Sequence, residues 1–180
     1  MKELILGGVR SGKSRLAEQH AQASGLPVTY IATATVEDDE MRARIAHHQA
    51  QRPGHWQLVE EPLALAAALQ RHAAAGHCVL VDCLTLWLTN LLCTQDEAQL
   101  RKEVSALLDV LPSLPGHIIL VSNETGMGVV PLGELTRRYC DEAGRLHQAV
   151  AQCCERVILT VAGLPLMVKN ETQGRPLAEF

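Results

Sequence analysis

A glycine-rich octapeptide directly behind a short apolar run constrains this chain more than any other feature. The run is Leu4–Leu6, and the octapeptide extends from Gly7 to Ser14 with the sequence GGVRSGKS. It fits the pattern G-x-x-x-x-G-K-[ST], which needs a strand before it and a helix after it. Leu4–Leu6 can be that strand, and Ser14–Gln22 contains good helix formers and no helix breaker. The pattern therefore predicts a strand, a phosphate-binding loop and a helix in succession.

The residue types of this loop match what binding of a triphosphate requires. Glycines let the backbone curl so that its N–H groups point at phosphate oxygens, and the following helix N-terminus adds partial positive charge. Lys13 is expected to reach the β- and γ-phosphates, and the Ser14 hydroxyl is expected to bind Mg²⁺. The predicted nucleotide contacts are Gly7, Gly8, Val9, Arg10, Ser11, Gly12, Lys13 and Ser14. The chain is thus predicted to bind a nucleoside triphosphate.

Composition favours a single cytoplasmic domain. A chain of 180 residues with 47% hydrophobic residues is ordinary for one globular domain. The net charge of −4 provides no basic footprint for nucleic acid, and no apolar stretch reaches the ~18 residues of a membrane span. The six cysteines lack metal-ligand spacing, and we expect no export signal, so we expect reduced thiols in a cytoplasm.

Apolar segments and amphipathic helical segments alternate along the chain, which predicts an α/β fold. We expect three layers, with a mostly parallel central sheet and helices on both faces, over residues 1–169. Residues 170–180 are expected to form a polar C-terminal tail. The further predicted strands are Val28–Ala32, Gln57–Glu60, Cys78–Asp82, Ile118–Ser122, Val157–Val161 and Leu166–Val168. The further predicted helices are Asp38–Gln51, Pro62–Ala74, Leu84–Leu92, Glu97–Leu111 and Gly133–Cys154.

Four polar residues follow predicted strands and should gather at one edge of the sheet. They are Lys13, Thr33, Asp82 and Asn123. In open parallel sheets, ligands bind outside the carboxyl ends of the strands. Asp82 is therefore predicted to hold Mg²⁺ together with Ser14, and the alternative is that it caps the helix beginning at Leu84.

Two other segments leave alternatives open. His47 and His48 lie on a predicted helix, where adjacent side chains point about 100° apart and do not form a zinc site. A neutral imidazole near phosphate can attack phosphorus, but the pattern by itself favours surface histidines. Asn123 and Glu124 begin a loop at the ligand edge, where they can orient substrate or metal or belong to an ordinary connection. The guanine-reading N-K-x-D pattern of signalling GTPases is absent.

Taken together, these segments resemble the bifunctional adenosylcobinamide kinase / adenosylcobinamide-phosphate guanylyltransferase family of cobalamin biosynthesis. The resemblance runs in order from about Leu4 to Lys169, nearly the whole chain. Any one piece is weak, but the ordered set is specific. The matching stretches are the phosphate loop, Tyr30–Ala34, Asp39–Met41, Arg44–Ile45 with His47–His48, Arg52–Pro53, Val81–Thr85, Thr89–Leu92, Ser122–Glu124, Gly128–Pro131, Asp141, Gly144–Arg145 and Ala162–Pro165.

The resemblance implies two reactions. The family phosphorylates the aminopropanol hydroxyl of adenosylcobinamide with ATP or GTP, and then transfers GMP from GTP to give adenosylcobinamide-GDP. It also implies that His47 is the nucleophile that carries GMP covalently, with Lys13 as the second catalytic residue. The further nucleotide contacts that it implies are Thr33, Ala34, Thr35, His48, Gln51, Arg52, Glu60 and Asp82.

The resemblance also implies a fold like that of recombinase-type ATPases and a homotrimer. From the net charge and the lack of a long apolar stretch, we expect no nucleic-acid partner and no membrane span. His147 departs from the family pattern, which leads us to expect an amide there. One alternative is a monofunctional phosphate-loop kinase for a small molecule, in which His47 is a surface residue. Another is a non-enzymatic nucleotide-binding module, which would turn over no substrate.

Overall fold

The structure is a computed structural model that describes residues 1–35 and 53–171. Within these residues there are seven strands and five α-helices. The strands are β1 (Lys2–Gly7), β2 (Val28–Ala32), β3 (Gln57–Glu60), β4 (Cys78–Asp82), β5 (His117–Asn123), β6 (Arg156–Val161) and β7 (Leu164–Asn170). The helices are α1 (Lys13–Ala23), α2 (Leu65–His72), α3 (Leu84–Cys93), α4 (Glu97–Val110) and α5 (Glu134–Cys153).

The seven strands form one sheet in the order β3-β2-β4-β5-β1-β6-β7. All neighbouring strands run parallel except β6 and β7, which form an antiparallel hairpin. The predicted mostly parallel sheet is therefore confirmed. The phosphate-loop strand β1 lies between β5 and β6, so loops from both neighbours flank the predicted nucleotide site.

Helices cover both faces of the sheet because successive strand side chains alternate between the faces. On one face, Leu4, Val81 and Leu120 belong to a core cluster with residues of α2, α3, α4 and α5. On the other face, Ile5 and Leu80 pack with residues of α1. The near-continuous apolar strands that indicated a parallel sheet are thus buried from both sides.

Local capping explains where two of the helices begin. The Asp96 carboxylate accepts hydrogen bonds from the backbone N–H groups of Ala98 and Gln99, so α4 begins at Glu97 as predicted. The helix predicted over Pro62–Ala74 is shorter and extends from Leu65 to His72. Glu61 Oε1 accepts from the N–H groups of residues 63 and 64, which holds the segment before α2 as a non-helical lead-in.

The C-terminal hairpin is longer than predicted. The strand expected over Leu166–Val168 extends from Leu164 to Asn170 and pairs with β6. The helix predicted over Asp38–Gln51 lies outside the described residues, as do residues 172–180 of the predicted tail. Over the described ranges, no helix is long and apolar enough to cross a membrane.

Candidate functional site

The loop between β1 and α1 has the backbone shape that phosphate binding needs. Gly7 is so closely packed that a Cβ atom there would clash with the Ser11 hydroxyl. Gly12 has a φ angle of 94°, in the left-handed region that favours glycine, and α1 begins at the next residue. The Ser11 N–H group donates to the Gly8 carbonyl at 3.2 Å and closes the turn. The loop therefore leads directly into a helix N-terminus, where free N–H groups and the helix dipole favour an anion.

Lys13 and Asp82 lie near each other at the centre of this edge. Lys13 Nζ donates to the carbonyl oxygen of Gly8 at 3.2 Å. Burial lowers the pKa of Lys13, and the nearby Asp82 carboxylate opposes that effect by favouring the ammonium form. The first turn of α1 and the end of β4 thus bring together the predicted cation and the predicted metal-binding carboxylate.

The end of β4 is held by hydrogen bonds from β2. Asp82 Oδ2 accepts from the Tyr30 hydroxyl at 3.1 Å. The Thr33 side chain is fully buried, donates to the Cys83 carbonyl at 2.7 Å and accepts from the Cys83 N–H group at 2.9 Å. Thr33 therefore fixes the backbone beside Asp82, while the predicted contact of Thr33 with nucleotide stays a prediction.

Three buried polar atoms around the first glycine of the loop lack a partner among the described residues. They are Ser11 Oγ, Asn123 Oδ1 and Thr160 Oγ1. Asn123 and Thr160 are the register partners of Gly7 on either side of β1. Buried polar groups are nearly always hydrogen-bonded in native proteins, so such a set at the mouth of a phosphate loop fits groups that a ligand or its waters satisfy.

The donor set at this edge suits Mg²⁺. Ser14 offers a hydroxyl from the first turn of α1, and Asp82 offers one carboxylate. Within residues 1–35 and 53–171, no group of three or more His, Cys, Asp or Glu side chains could hold a metal by itself. Mg²⁺ ordinarily binds through one or two protein oxygens together with substrate phosphates and water. The residues present fit that mode.

The thiol of Cys83, next to Asp82, is buried. Burial raises the pKa of Cys83 to about 11, and the adjacent Asp82 charge contributes in the same direction. The thiol is therefore protonated at neutral pH and packs as a small apolar group. All six cysteines of the chain are free.

Asn123 and Glu124 lie where the strand order places the end of β5, next to the phosphate loop. The Glu124 N–H group donates to the Gly7 carbonyl at 3.0 Å. Glu124 Oε1 accepts from the Gly126 N–H group at 2.6 Å, and the Glu124 side chain is 19% exposed. Of the two alternatives for this segment, the position beside the loop favours a role in orienting a bound group.

The other predicted site residues fall into two sets. Glu60 is exposed at the carboxyl end of β3, four strands from β1, which corresponds to about 19 Å at the usual strand spacing. Its neighbour Glu61 is occupied in holding the lead-in to α2, which leaves Glu60 as the available carboxylate. The predicted site residues His47, His48, Gln51 and Arg52 lie outside the described residues.

Sequence reasoning missed the polar residues of α3 that support the site. The Asn90 side-chain amide donates to the Thr33 carbonyl at 2.8 Å and to the Pro62 carbonyl at 3.1 Å. Thr85 Oγ1 accepts from the Asn123 N–H group at 2.7 Å. A signal was available, because Thr85, Thr89 and Asn90 form a polar stripe on an otherwise apolar helix.

The geometry describes a phosphate-loop nucleotide site, and comparison with known proteins identifies its family. The sequence model for CobU, described as cobinamide kinase / cobinamide phosphate guanyltransferase, matches residues 3–168. The chain belongs to this family. It is therefore a transferase, as the sequence resemblance predicts, and the two alternative functions are not favoured.

Curated relatives agree with this assignment over almost their entire length. A bifunctional adenosylcobalamin biosynthesis protein, CobP, from Pseudomonas aeruginosa is 67% identical over 171 residues, which cover 95% of this chain and 99% of that protein. The CobU proteins of Escherichia coli and Salmonella typhimurium are each 37% identical and cover 94% of this chain and 100% of their own length.

Solved structures with low sequence identity share the fold. The RadB recombinase matches with a TM-score of 0.52 at 18% identity, covering 88% of this chain and 73% of that one. A Pyrococcus horikoshii protein matches with a TM-score of 0.54 at 8% identity, covering 94% of this chain and 86% of that one. The predicted likeness to recombinase-type folds is thereby confirmed.

Proposed function

We propose that the protein phosphorylates adenosylcobinamide with ATP or GTP and then transfers GMP from GTP to the product, which forms adenosylcobinamide-GDP and pyrophosphate. The observation that carries this proposal is the family match over residues 3–168, which spans the loop at Gly7–Ser14 and the carboxylate of Asp82. The described geometry supports the first half, because it provides a curled phosphate loop, a lysine and a carboxylate at one sheet edge.

In the kinase step, the chain's own residues bind and orient the triphosphate. The loop N–H groups and the N-terminus of α1 bind phosphate oxygens, and Lys13 places its charge against the β- and γ-phosphates. Ser14 and Asp82 would hold Mg²⁺, which supplies charge neutralisation of the phosphates. Positioning and electrostatic stabilisation account for most of phosphoryl transfer, so these residues are sufficient to bind and activate the donor.

In the transfer step, His47 is the proposed nucleophile that carries GMP. A neutral imidazole attacks the α-phosphorus of GTP, pyrophosphate leaves, and the phosphoramidate is then discharged onto the phosphate of the corrinoid. The proposed guanine-nucleotide contacts are Thr33, Ala34, Thr35, His48, Gln51, Arg52, Glu60 and Asp82. The resemblance supports this set, and the exposed position of Glu60 at the carboxyl edge agrees with it.

Covalent labelling tests the transfer step. The purified protein is incubated with Mg²⁺ and GTP that carries radioactive phosphorus at the α position, then denatured and treated with acid or alkali. We expect label that survives denaturation and alkali, is lost in acid, and is absent from a His47→Ala variant. The exposed His55 provides a matched control, because a His55→Ala variant should retain the label. Nucleotide binding without label would leave a monofunctional phosphate-loop kinase as the better account.

We further propose a cytoplasmic homo-oligomer, with the trimer coming from the family resemblance. The outer hairpin supports association, because Val161, Leu164 and Leu166 at its edge are each more than half exposed. An exposed apolar edge strand is usually covered by a partner. The six free cysteines agree with a reducing compartment. Sedimentation analysis of the purified chain tests the oligomeric state.

A further inference from the structure

A buried chain of hydrogen bonds joins α5 to the end of β5, beside the phosphate loop. Ser122 Oγ lies 2.8 Å from His147 Nε2, and the two residues are only 1% and 8% exposed. Ser122 Oγ also lies 3.3 Å from Thr85 Oγ1, which accepts from the Asn123 N–H group at 2.7 Å. His147 stands where the family pattern leads us to expect an amide.

The remaining nitrogen of the His147 ring, Nδ1, lies on the side of Glu124. Burial lowers the pKa of His147, with the Glu124 charge opposing that effect, so the ring is neutral at pH 7. If Nε2 of a neutral ring accepts from Ser122, the proton is on Nδ1, which lies 3.9 Å from Glu124 Oε2. We assign this tautomer because donation then runs from the Asn123 backbone through two hydroxyl groups to the imidazole, and the Nδ1 proton is left on the side of the Glu124 carboxylate.

The carboxylate of Glu124 is held by one hydrogen bond at the mouth of the loop and lies near the His147 ring. The Gly126 N–H group fixes Oε1, and the His147 ring faces Oε2. The backbone of the same residue is bonded to the Gly7 carbonyl. A carboxylate that keeps partial solvent exposure beside a triphosphate site can accept a proton from a bound substrate.

Other carboxylates at this edge of the sheet make different contacts or lie farther from the loop. Asp82 accepts from the Tyr30 hydroxyl and lies near Lys13, which suits a metal ligand. Glu61 accepts two backbone N–H groups before α2. Glu60 is four strands away from β1. Of the carboxylates that follow the strands at this edge, Glu124 is therefore the one best placed beside the loop for a proton-transfer role.

A groove begins at the residue after Glu124 and gives an acceptor molecule a place to lie. Its volume is about 460 Å³, and it extends from Thr125 across the loop to α5. The lining combines apolar Val129 and Val130 with the polar side chains of Arg137, Asp141, Arg145 and Gln148. Such a lining suits the rim of a corrinoid, which carries amide groups around an apolar ring. An alcohol on that substrate would reach the phosphate loop past Glu124.

We propose that Glu124 accepts the proton of the corrinoid's alcohol in the kinase step, and that His147 is a positioning residue that orients the Glu124 carboxylate. The proposal rests on the proposed kinase activity. The alcohol oxygen forms a bond to the γ-phosphorus while its proton moves to Glu124. The bond from the γ-phosphorus to the bridging oxygen breaks, and its electron pair leaves on the nucleoside diphosphate. The proton is later released to solvent.

The two reactions of the family differ in their need for such a base. The acceptor of the kinase step is an alcohol, which must lose a proton. The acceptor of the transfer step is a phosphate that is already ionised at neutral pH, and it needs no base. Glu124 is therefore expected to matter much more for phosphorylation than for guanylyl transfer, which a purely structural carboxylate would not produce.

The first experiment compares the Glu124→Gln variant with the native chain in two separate assays. One measures phosphorylation of adenosylcobinamide, and the other measures GMP transfer to adenosylcobinamide phosphate supplied ready-made. Glutamine keeps an oxygen for the Gly126 N–H group but cannot take the proton. We expect the ratio of kinase kcat to transfer kcat to fall by about 100-fold or more, with little change in the KM for adenosylcobinamide. A Glu134→Gln variant on the exposed start of α5 is the matched control.

The second experiment tests the positioning residue. His147→Leu is expected to lower kinase kcat about tenfold without raising the KM for nucleotide, because the carboxylate loses its orientation. His147→Gln keeps an amide donor and acceptor, and it should restore part of that loss. If His147→Leu does not fold, Ser122→Ala removes the support of the imidazole and should lower the same kcat.

Three outcomes would overturn the inference. An unchanged ratio in Glu124→Gln would make that carboxylate a loop-stabilising group. Equal kinase kcat in the leucine and glutamine variants of His147 would reduce the imidazole to a packing role. An increased KM for adenosylcobinamide with unchanged kcat would make Glu124 a binding residue. Absence of both activities from the native chain would instead refute the proposed function itself. Failure of the proposed function can therefore be distinguished from failure of the role proposed for Glu124.

Discussion

Lys13 is partly buried, which disfavours its charged form, although binding of a triphosphate requires that charge. Its pKa is lowered by burial, which means that the folded state favours the charged form less than water does. Lys13→Ala should reduce kcat/KM of both reactions by about 100-fold or more, because both need the triphosphate bound in one geometry. The free energy of unfolding should not decrease.

Steady-state kinetics and urea unfolding measure these two effects separately. Lys102, which is exposed on α4, provides a control, because Lys102→Ala removes the same charge far from the loop. Kinase turnover that persists in Lys13→Ala would contradict the assignment of the phosphate loop.

Thr33 contributes to stability through a buried hydroxyl. Thr33→Val preserves the shape of the side chain but leaves the Cys83 N–H group without its acceptor at 2.9 Å. An unsatisfied buried donor costs about 1–3 kcal/mol, and we expect the free energy of unfolding to decrease by that amount. Urea unfolding measures it, and the exposed Ser105→Ala variant on α4 should change by less than about 0.5 kcal/mol. Equal effects in the two variants would mean that the Cys83 N–H group finds another partner.

At the scale of elements, the β6–β7 turn supports the phosphate loop. The Gly163 N–H group donates to the Ser11 carbonyl at 2.8 Å, and Gly163 has a φ angle of 81°. Gly163→Ala should lower stability by about 1 kcal/mol, because a left-handed backbone disfavours a Cβ atom. It should also raise the KM for nucleotide, because the same strain is transmitted to the loop.

Gly25 offers a matched control for this prediction. It has a φ angle of 67° after α1, and nothing lies within 4 Å of the place where its Cβ atom would be. Gly25→Ala should therefore cost a similar amount of stability without any change in the KM for nucleotide. Identical KM values in both variants would show that the turn does not support the loop.

Local sequence patterns predict the bounds of some elements but not of those whose ends depend on contacts with distant residues. The strands β2, β3 and β4 have the predicted bounds, and β2 and β4 are compact, mostly buried runs. The start of α2 was predicted too early, because a tertiary contact decides it: Leu63 uses its carbonyl for the Trp87 indole N–H group at 2.7 Å. The extent of β7 was underestimated, because its pairing with β6 rather than its own pattern determines its length.

For the whole molecule, buried histidines predict a loss of stability in mild acid. Burial lowers the pKa of His117, aided by the N-terminus, His20 and Arg156 and opposed by Glu3. Burial also lowers the pKa of His147. Between each lowered pKa and the ordinary value of about 6.5, the unfolded chain binds more protons than the folded chain. The stability from the neutral rings is therefore fully present above about pH 6.5 and decreases as the pH falls below that value.

Urea unfolding at several pH values measures this effect. We expect the midpoint to fall between about pH 7.5 and about pH 5.5, and His117→Gln should reduce the slope. The exposed His55→Gln variant is the control and should keep the native slope. A midpoint that does not change over this range would contradict the burial of both imidazoles.

The sequence by itself determined the phosphate loop, the alternation of strands and helices, and the edge at which ligands bind. These properties depend on contiguous residues, such as Gly7–Ser14, or on a rule that holds for any parallel sheet. The family resemblance added the two reactions and the proposed role of His47, which no periodicity indicates.

Only the tertiary structure decided which side chains meet at the site. The order β4-β5-β1 places Glu124 against Gly7, which is more than one hundred residues earlier in the chain. In the same way, His147 reaches Ser122 across 25 residues, because α5 packs back over the end of β5. Local patterns report which face of an element is buried, but contacts between distant residues depend on the strand order and on helix packing, and those are set by the free energy of the complete fold.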